Sequence, residues 1–300
     1  MKLTVQPEDG VAPLVSAINH ARKSIEIAVF RFDYGALEKA LKAAVGRGVL
    51  VHALIAHTNG GGSKTLRKLE LALLDAGVTV TRTSDDLIRY HDKILIIDGR
   101  ELHLLAYNFT HLDIDRSRSF GVVTRNRKLV EDALKLMQAD TLRQPYISAA
   151  KHLIVSPENA RPRLAAFLSA ARKQLLIYDP KVTDARMISI LRARAKAGVE
   201  IKVIGKVGKR GEGIIVEKFP GKRLHTRAIV RDSRQVFVGS QSLRKVELDG
   251  RREAGLIVKD PKVVKRVIAV FQQDWAQTDS GKKDSEKEKK QAQKPEESVA

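Results

Sequence analysis

The chain is written twice. The stretch LTVQPEDGVAPLVSAINHARKSIEI, from Leu3, lies over LIVSPENARPRLAAFLSAARKQLLI, from Leu153. Leu3, Val5, Pro7, Glu8, Ala21, Arg22 and Lys23 each meet the same residue 150 positions later. The register continues without a gap through GRGVLVHALIA and KAGVEIKVIGK, where Gly48 meets Gly198. Farther on the offset falls to 134, as His91 against His225 shows, so the second copy is 16 residues shorter. The loss falls on residues 63–77, SKTLRKLELALLDAG, an amphipathic helical pattern with Ser at the N-cap position and Gly at its end. The second copy has only GKVGKRGEG there. A chain repeated in this way builds one supersecondary plan two times.

Within each copy, short apolar runs with period-two character (SIEIAVFRF, VLVHALIA) alternate with helically spaced segments (YGALEKALKAAVGRG, DARMISILRARAKAG). Alternating strands and helices predict an α/β fold. The expected architecture is two homologous lobes, each a mostly parallel sheet flanked by helices, related by a pseudo-twofold axis. The expected limits are residues 1–146 for the first lobe and 150–276 for the second, with the boundary near Pro145. Residues 277–300 are rich in Lys, Glu, Gln and Ser and poor in apolar residues, and are expected to be disordered.

Fifty-five Lys and Arg against 35 Asp and Glu give a net charge of +20. The stretch from Asp279 onward holds six lysines and six acids, so the folded body carries the whole excess. Such a body attracts polyanions: nucleic acid or anionic lipid headgroups. No apolar run approaches the length of a bilayer span, and the first residues have no hydrophobic signal region. The expected location is cytoplasmic, with peripheral contact at the inner face of an anionic membrane. Cysteine is absent, which excludes disulfides and thiolate metal sites.

Two octads stand out, HDKILIID at residues 91–98 and HTRAIVRD at residues 225–232. Residues i and i+2 of a strand share a face, so His91 projects with Lys93 and His225 with Arg227. A cation beside an imidazole is a poor core feature, because burying it unpaired costs several kcal/mol. It makes sense around a phosphate: the cation holds non-bridging oxygens while a ring nitrogen faces phosphorus or the leaving oxygen. Asp98 and Asp232 have the opposite parity and enter the turns DGR and DSR, which points to support of the strand end. A single such octad reads equally well as an edge strand with solvated His and Lys. Equivalent octads in both copies are harder to explain that way.

His-x-Lys-x4-Asp followed by Gly-Ser-x-Asn resembles the signature of the phospholipase D superfamily, and the resemblance spans roughly residues 3–275. It implies a bilobal α/β protein with one shared site built from His91, Lys93, Asp98, His225, Arg227 and Asp232. One histidine attacks phosphorus to give a phosphohistidine, and the other protonates the leaving alcohol and then activates water or an acceptor alcohol. Neither metal nor cofactor is implied. Family habit makes His91 the nucleophile and His225 the acid and then base.

The match is uneven. The Gly-Ser-x-Asn positions hold Leu105, Ala106, Tyr107 and Asn108 in the first half, and Gly239, Ser240, Gln241 and Ser242 in the second. Arg227 replaces the expected Lys, keeping charge but changing reach and shape. Asn108, Ser240 and Glu253 are the expected supporting residues. Glu253 is expected to steady His225, while its counterpart Ser119 is no acid, so that Asp113 or Asp115 would substitute in the first half.

The leading expectation is a phospholipase D-type phosphodiesterase or phosphatidyltransferase acting on a phospholipid, without a requirement for a dimer. A nuclease using the same histidines is the first alternative, with only 5% aromatic residues for stacking bases. A polyanion binder with a decayed site is the second. The loop NGGGSK at residues 59–64 lacks phosphate-loop spacing and is expected to be a connection or rim. The other histidines, His20, His52, His57, His103, His111 and His152, show no metal-ligand spacing with carboxylates.

Overall fold

The repeat reappears in three dimensions as one element order used twice. The computed structural model describes residues 1–58, 64–146, 153–208 and 213–292. The first half runs β1 (Lys2–Gln6), α1 (Ala12–His20), β2 (Ser24–Val29), α2 (Gly35–Gly46), β3 (Leu50–Ile55), α3 (Lys64–Asp75), β4 (Thr79–Arg82), β5 (Arg89–Tyr90), β6 (Ile94–Ile97), β7 (Glu101–Leu105), α4 (His111–Asp115), β8 (Ser117–Thr124) and α5 (Arg127–Leu142). The second runs β9 (Leu153–Ser156), α6 (Ala160–Ser169), β10 (Gln174–Val182), α7 (Ala185–Lys196), β11 (Glu200–Val207), β12 (Ile214–Glu217), β13 (Arg223–Leu224), β14 (Arg227–Arg231), β15 (Gln235–Gly239), α8 (Lys245–Asp249), β16 (Arg251–Val258) and α9 (Pro261–Trp275), and α10 (Asp279–Ala292) follows. Among the described residues the second half has no counterpart of α3, in keeping with its shorter copy. Gly48 (φ +80°) and Gly198 (φ +83°) hold the same left-handed turn after α2 and α7, a conformation that other residues adopt at a cost.

Each half builds a sheet, ordered β1-β8-β7-β6-β2-β3-β4 and β12-β11-β10-β14-β15-β16. The expectation of mostly parallel sheets is corrected: both are mixed. Strands β2, β3 and β4 pair in parallel, joined through helices, whereas β6, β7, β8 and β1 pair antiparallel. Residues 98–100 between β6 and β7 are too few for a parallel crossover and close a hairpin instead.

The halves also exchange strands. β5, from the first half, pairs with β16 of the second, with Arg89 opposite Arg251 and Tyr90 opposite Arg252. β13, from the second half, pairs with β8 of the first, with Arg223 opposite Ser117 and Leu224 opposite Arg118. One apolar cluster runs across the junction, from Leu3, Phe120 and Leu136 to Tyr178, Leu256 and Phe271. Buried ion pairs fasten the same junction reciprocally. Arg118 holds Asp274 of α9 (2.8 and 3.0 Å), Gln6 O (2.9 Å) and Glu8. Arg252 holds Asp140 of α5 (3.0 and 3.1 Å), Ser156 O (3.0 Å) and Glu158.

Part of the stretch expected to be disordered is helix α10. Lys and Glu are good helix formers, and its start is tied down: Gly281 N donates to Thr278 Oγ1 (3.1 Å) and Trp275 Nε1 to Asp284 (3.2 Å). Residues 293–300, the loop residues 59–63 and His152 lie outside the described residues. Among the described residues no helix is long and apolar enough to cross a membrane.

Candidate active site

His91 and His225 follow the exchanged strands directly, so the exchange sets their positions. His91 N donates to Arg252 O (2.7 Å) and His225 N to Arg118 O (3.1 Å), which anchors each histidine on the opposite half. Both are 7% exposed.

The His91 Nδ1 lies 2.8 Å from Glu253 Oε2, and Glu253 is wholly buried. A carboxylate there holds the Nδ1–H tautomer, in which Nε2 carries the lone pair. The ring edge meets Phe30, with centroids 4.5 Å apart. Lys93 Nζ, also buried, sits 2.9 Å from each ring nitrogen. Glu253 therefore faces His91 and not His225 as expected. The reason is the exchange: β16, which carries Glu253, pairs with the strand leading into His91.

Asp113 takes the corresponding place by His225, its Oδ2 3.4 Å from Nδ1 without a hydrogen bond. It stands beside the second histidine, in place of the expected support for His91. Asn108 holds Asp113 through its backbone N (2.8 Å) and Nδ2 (2.6 Å), and Arg223 also binds it. Asp115 is directed elsewhere, to Tyr34 (3.2 Å) and His111 (2.8 Å). Ser119 is buried with no partner for its hydroxyl.

Arg227 is half-buried and donates to Ser242 Oγ (3.2 Å), beyond β15, and to His225 O (2.7 Å). Ser240 Oγ accepts from Ala254 N (3.2 Å), beside Glu253. Asp98 and Asp232 stand away from the imidazoles. Asp98 accepts the backbone N–H groups of Arg22, Lys23 and Ser24, and Asp232 those of Arg172, Lys173 and Gln174. Both have left-handed backbones, φ 54° and 53°.

The electrostatics tie the two motifs together. Burial is the main force holding both imidazoles well below the usual histidine range, and the charges of Lys93 and Arg227 push each of them further down. Burial pushes Lys93 down to about 7, and the Arg227 charge adds to this. Burial pushes Glu253 up to about 6, against the pull of Lys93 and Arg227. Two neutral, buried imidazoles beside Lys93 and Arg227 are suited to bind a phosphate and exchange protons with it. Among the described residues no group of three or more His, Asp and Glu could hold a metal ion.

Of the remaining histidines, His20 pairs with Ser16, His52 with Glu26 and Thr81, and His103 with Glu101. The helix α9 packs Val263, Val267, Phe271 and Trp275 into the core. Leu112, on the short helix α4, is exposed. Sequence reasoning missed Phe30, the pairing of Arg89 with Arg251, and the crossed carboxylates.

Residues 14–141 and 208–275 match the family described as cardiolipin synthase, PLD-like domain. The polyphosphate kinase of Vibrio vulnificus is 25% identical over 234 residues, 69% of this chain and 33% of that protein. This chain thus spans about a third of the polyphosphate kinases it matches. The mitochondrial cardiolipin hydrolase of Danio rerio is 25% identical over 131 residues, 42% of this chain and 56% of that protein. The crystal structure of polyphosphate kinase from Porphyromonas gingivalis shares the fold, with a TM-score of 0.75 at 19% identity, over 90% of this chain and 49% of that one. The family match extends over both histidine motifs, and on that ground the chain belongs to the phospholipase D superfamily, in its cardiolipin synthase, PLD-like domain family.

Proposed function

We propose that the protein cleaves or transfers the headgroup phosphodiester of a phospholipid in two displacements at phosphorus. His91 Nε2 attacks phosphorus, a P–N bond forms and the P–O bond to the headgroup alcohol breaks. His225 gives its proton to that alcohol. In the second step His225 takes a proton from water or an acceptor alcohol, whose oxygen bonds to phosphorus as the P–N bond to His91 Nε2 breaks, giving a phosphomonoester with water or a phosphodiester with alcohol. Lys93 and Arg227 hold the non-bridging oxygens, and Glu253 keeps His91 Nδ1 protonated. His225 is neutral in the free site; the negative phosphodiester offsets Lys93 and Arg227 and lets it take up the proton it must donate.

The single observation behind this reading is the crossed pairing of each imidazole Nδ1 with a carboxylate, at 2.8 Å for His91 and 3.4 Å for His225, the carboxylate in each case belonging to the opposite half. Support for lipid comes from the family description and the cardiolipin hydrolase relative. A second reading, phosphoryl transfer involving polyphosphate, has the support of the polyphosphate kinase relatives.

The test is turnover in chelator of anionic phospholipid vesicles with a primary alcohol, beside parallel reactions with single-stranded DNA and with polyphosphate plus nucleoside diphosphate. The expected products are phosphatidic acid and the phosphatidyl alcohol, lost in His91→Ala and His225→Ala variants that keep the wild-type melting temperature. DNA cleavage with lipid untouched would make it a nuclease, and nucleotide phosphorylation would favour the second reading. Binding of all the polyanions without turnover would leave only a binder.

A further inference from the structure

The two halves differ where α1 and α6 cover their sheets. The second half carries Ile154, Phe167 and Phe237, all in one apolar cluster. At the equivalent positions, offset by 150, 150 and 134, the first half carries Thr4, Ala17 and His103. A hydroxyl, a methyl and an imidazole thus stand where the other copy packs an aliphatic side chain and two aromatic rings. A cleft of about 630 Å³ opens at that place, bounded by α1, by the sheet at β1, β8 and β7, and by the start of α9. That volume lies within the range of small-molecule sites and far exceeds the ~30 Å³ of one water. None of the residues lining it belongs to the site around His91 and His225. His103 lines the cleft at 2% exposure, with Nε2 3.0 Å from Glu101 and Nδ1 buried without a hydrogen-bond partner. The bonds from His103 and from Arg125 (2.7 Å) hold the Glu101 carboxyl down at about 2. That carboxylate accepts the Nε2–H of a neutral ring, so Nδ1 presents a lone pair, and an unpaired buried acceptor costs stability that a hydroxyl donor restores. Both acids of the cleft are committed, Glu101 as described and Asp9 to Arg266 (2.8 and 2.9 Å). Lys2 and Lys262 line it too, and neither has an ion-pair partner among the described residues.

We propose that this cleft binds a small phosphomonoester bearing hydroxyl groups, a sugar phosphate, with its phosphate on Lys2 and Lys262 and a hydroxyl donating to His103 Nδ1. The ammonium groups supply charge-assisted bonds to the phosphate oxygens. The carbon face of the sugar rests on the aliphatic walls of Pro13, Ala17 and Val263. The site is a property of the first half alone, because Phe167 and Phe237 fill the same place in the second.

Calorimetry of the full chain with ribose 5-phosphate, with ribose and with inorganic phosphate tests this. Ribose 5-phosphate is expected to bind at least about tenfold tighter than either fragment. Ala17→Phe, which copies Phe167, is expected to abolish that binding, and the double variant Lys2→Gln, Lys262→Gln to weaken it about tenfold. Melting curves establish that the variants are folded; both lysines are exposed, so the double variant decides the matter if Ala17→Phe does not fold. His91→Ala is expected to leave the binding as in the wild type. Binding unchanged in the cleft variants, binding lost in His91→Ala, or a wild type that prefers ribose 5-phosphate to neither fragment overturns the proposal. The cleft shares no residue with the phosphodiester site, so each of the two readings stands or falls alone.

Discussion

Lys93 sits in the interior at 1% exposure, and its charge is what the proposed chemistry needs from it. Its folded pKa of about 7 lies below the ordinary 10.5. The buried charge therefore costs stability in full below pH 7, and the cost fades as pH rises from 7 to 10.5. Lys93→Met is expected to raise stability by about 1–3 kcal/mol at pH 6, less at pH 9, while lowering turnover about a hundredfold or more. Urea titrations at the two pH values, beside initial rates, check both halves of this. Glu253, Lys93 and the proton that His225 takes up with substrate set the pH dependence: activity needs Glu253 ionised, above about 6, Lys93 charged, below about 7, and His225 protonated, which falling pH favours. The kcat/KM profile is expected to be a narrow bell between those limbs, with the alkaline limb of kcat moved upward because bound phosphate stabilises the ammonium. Asp98 behaves differently, since it serves three backbone N–H groups around Lys23. Asp98→Ala is expected to cost about 1–3 kcal/mol in urea unfolding with kcat within about twofold of wild type.

The exchanged elements β5 and β13 are two residues each, too short to show any periodicity. They leave no mark in the sequence, and the expectation that Glu253 serves His225 follows from that, because spacing alone assigns a carboxylate to the histidine of its own half. The duplication, the octads and the missing counterpart of α3 are legible because they rest on spacing. Sheet direction is not, since buried strands read alike whether a hairpin or a helix joins them. The reciprocal junction carries its own consequence. Asp274 accepts from Arg118 twice and from Tyr178 (2.6 Å), all buried. Asp274→Ala leaves that guanidinium with one acid fewer and is expected to destabilise by about 3–5 kcal/mol. Differential scanning calorimetry reads this, and a change under about 1 kcal/mol would mean that the latch contributes little.

At the scale of the molecule, the charge of +20 belongs to the body that holds the site, because the stretch after Thr278 is neutral. Truncation after Thr278 is expected to leave the salt dependence of binding to anionic vesicles unchanged, as cosedimentation across salt concentrations would show. The central claim is that two halves, each lending a strand to the other, build one site in which His91 takes the phosphorus. Acid-labile phosphorus on the wild-type protein quenched during turnover, mapped by peptide mass spectrometry, tests it most directly. The account predicts an adduct on the peptide carrying His91; an adduct on His225 in the wild type, or turnover with no adduct on either histidine, would contradict it.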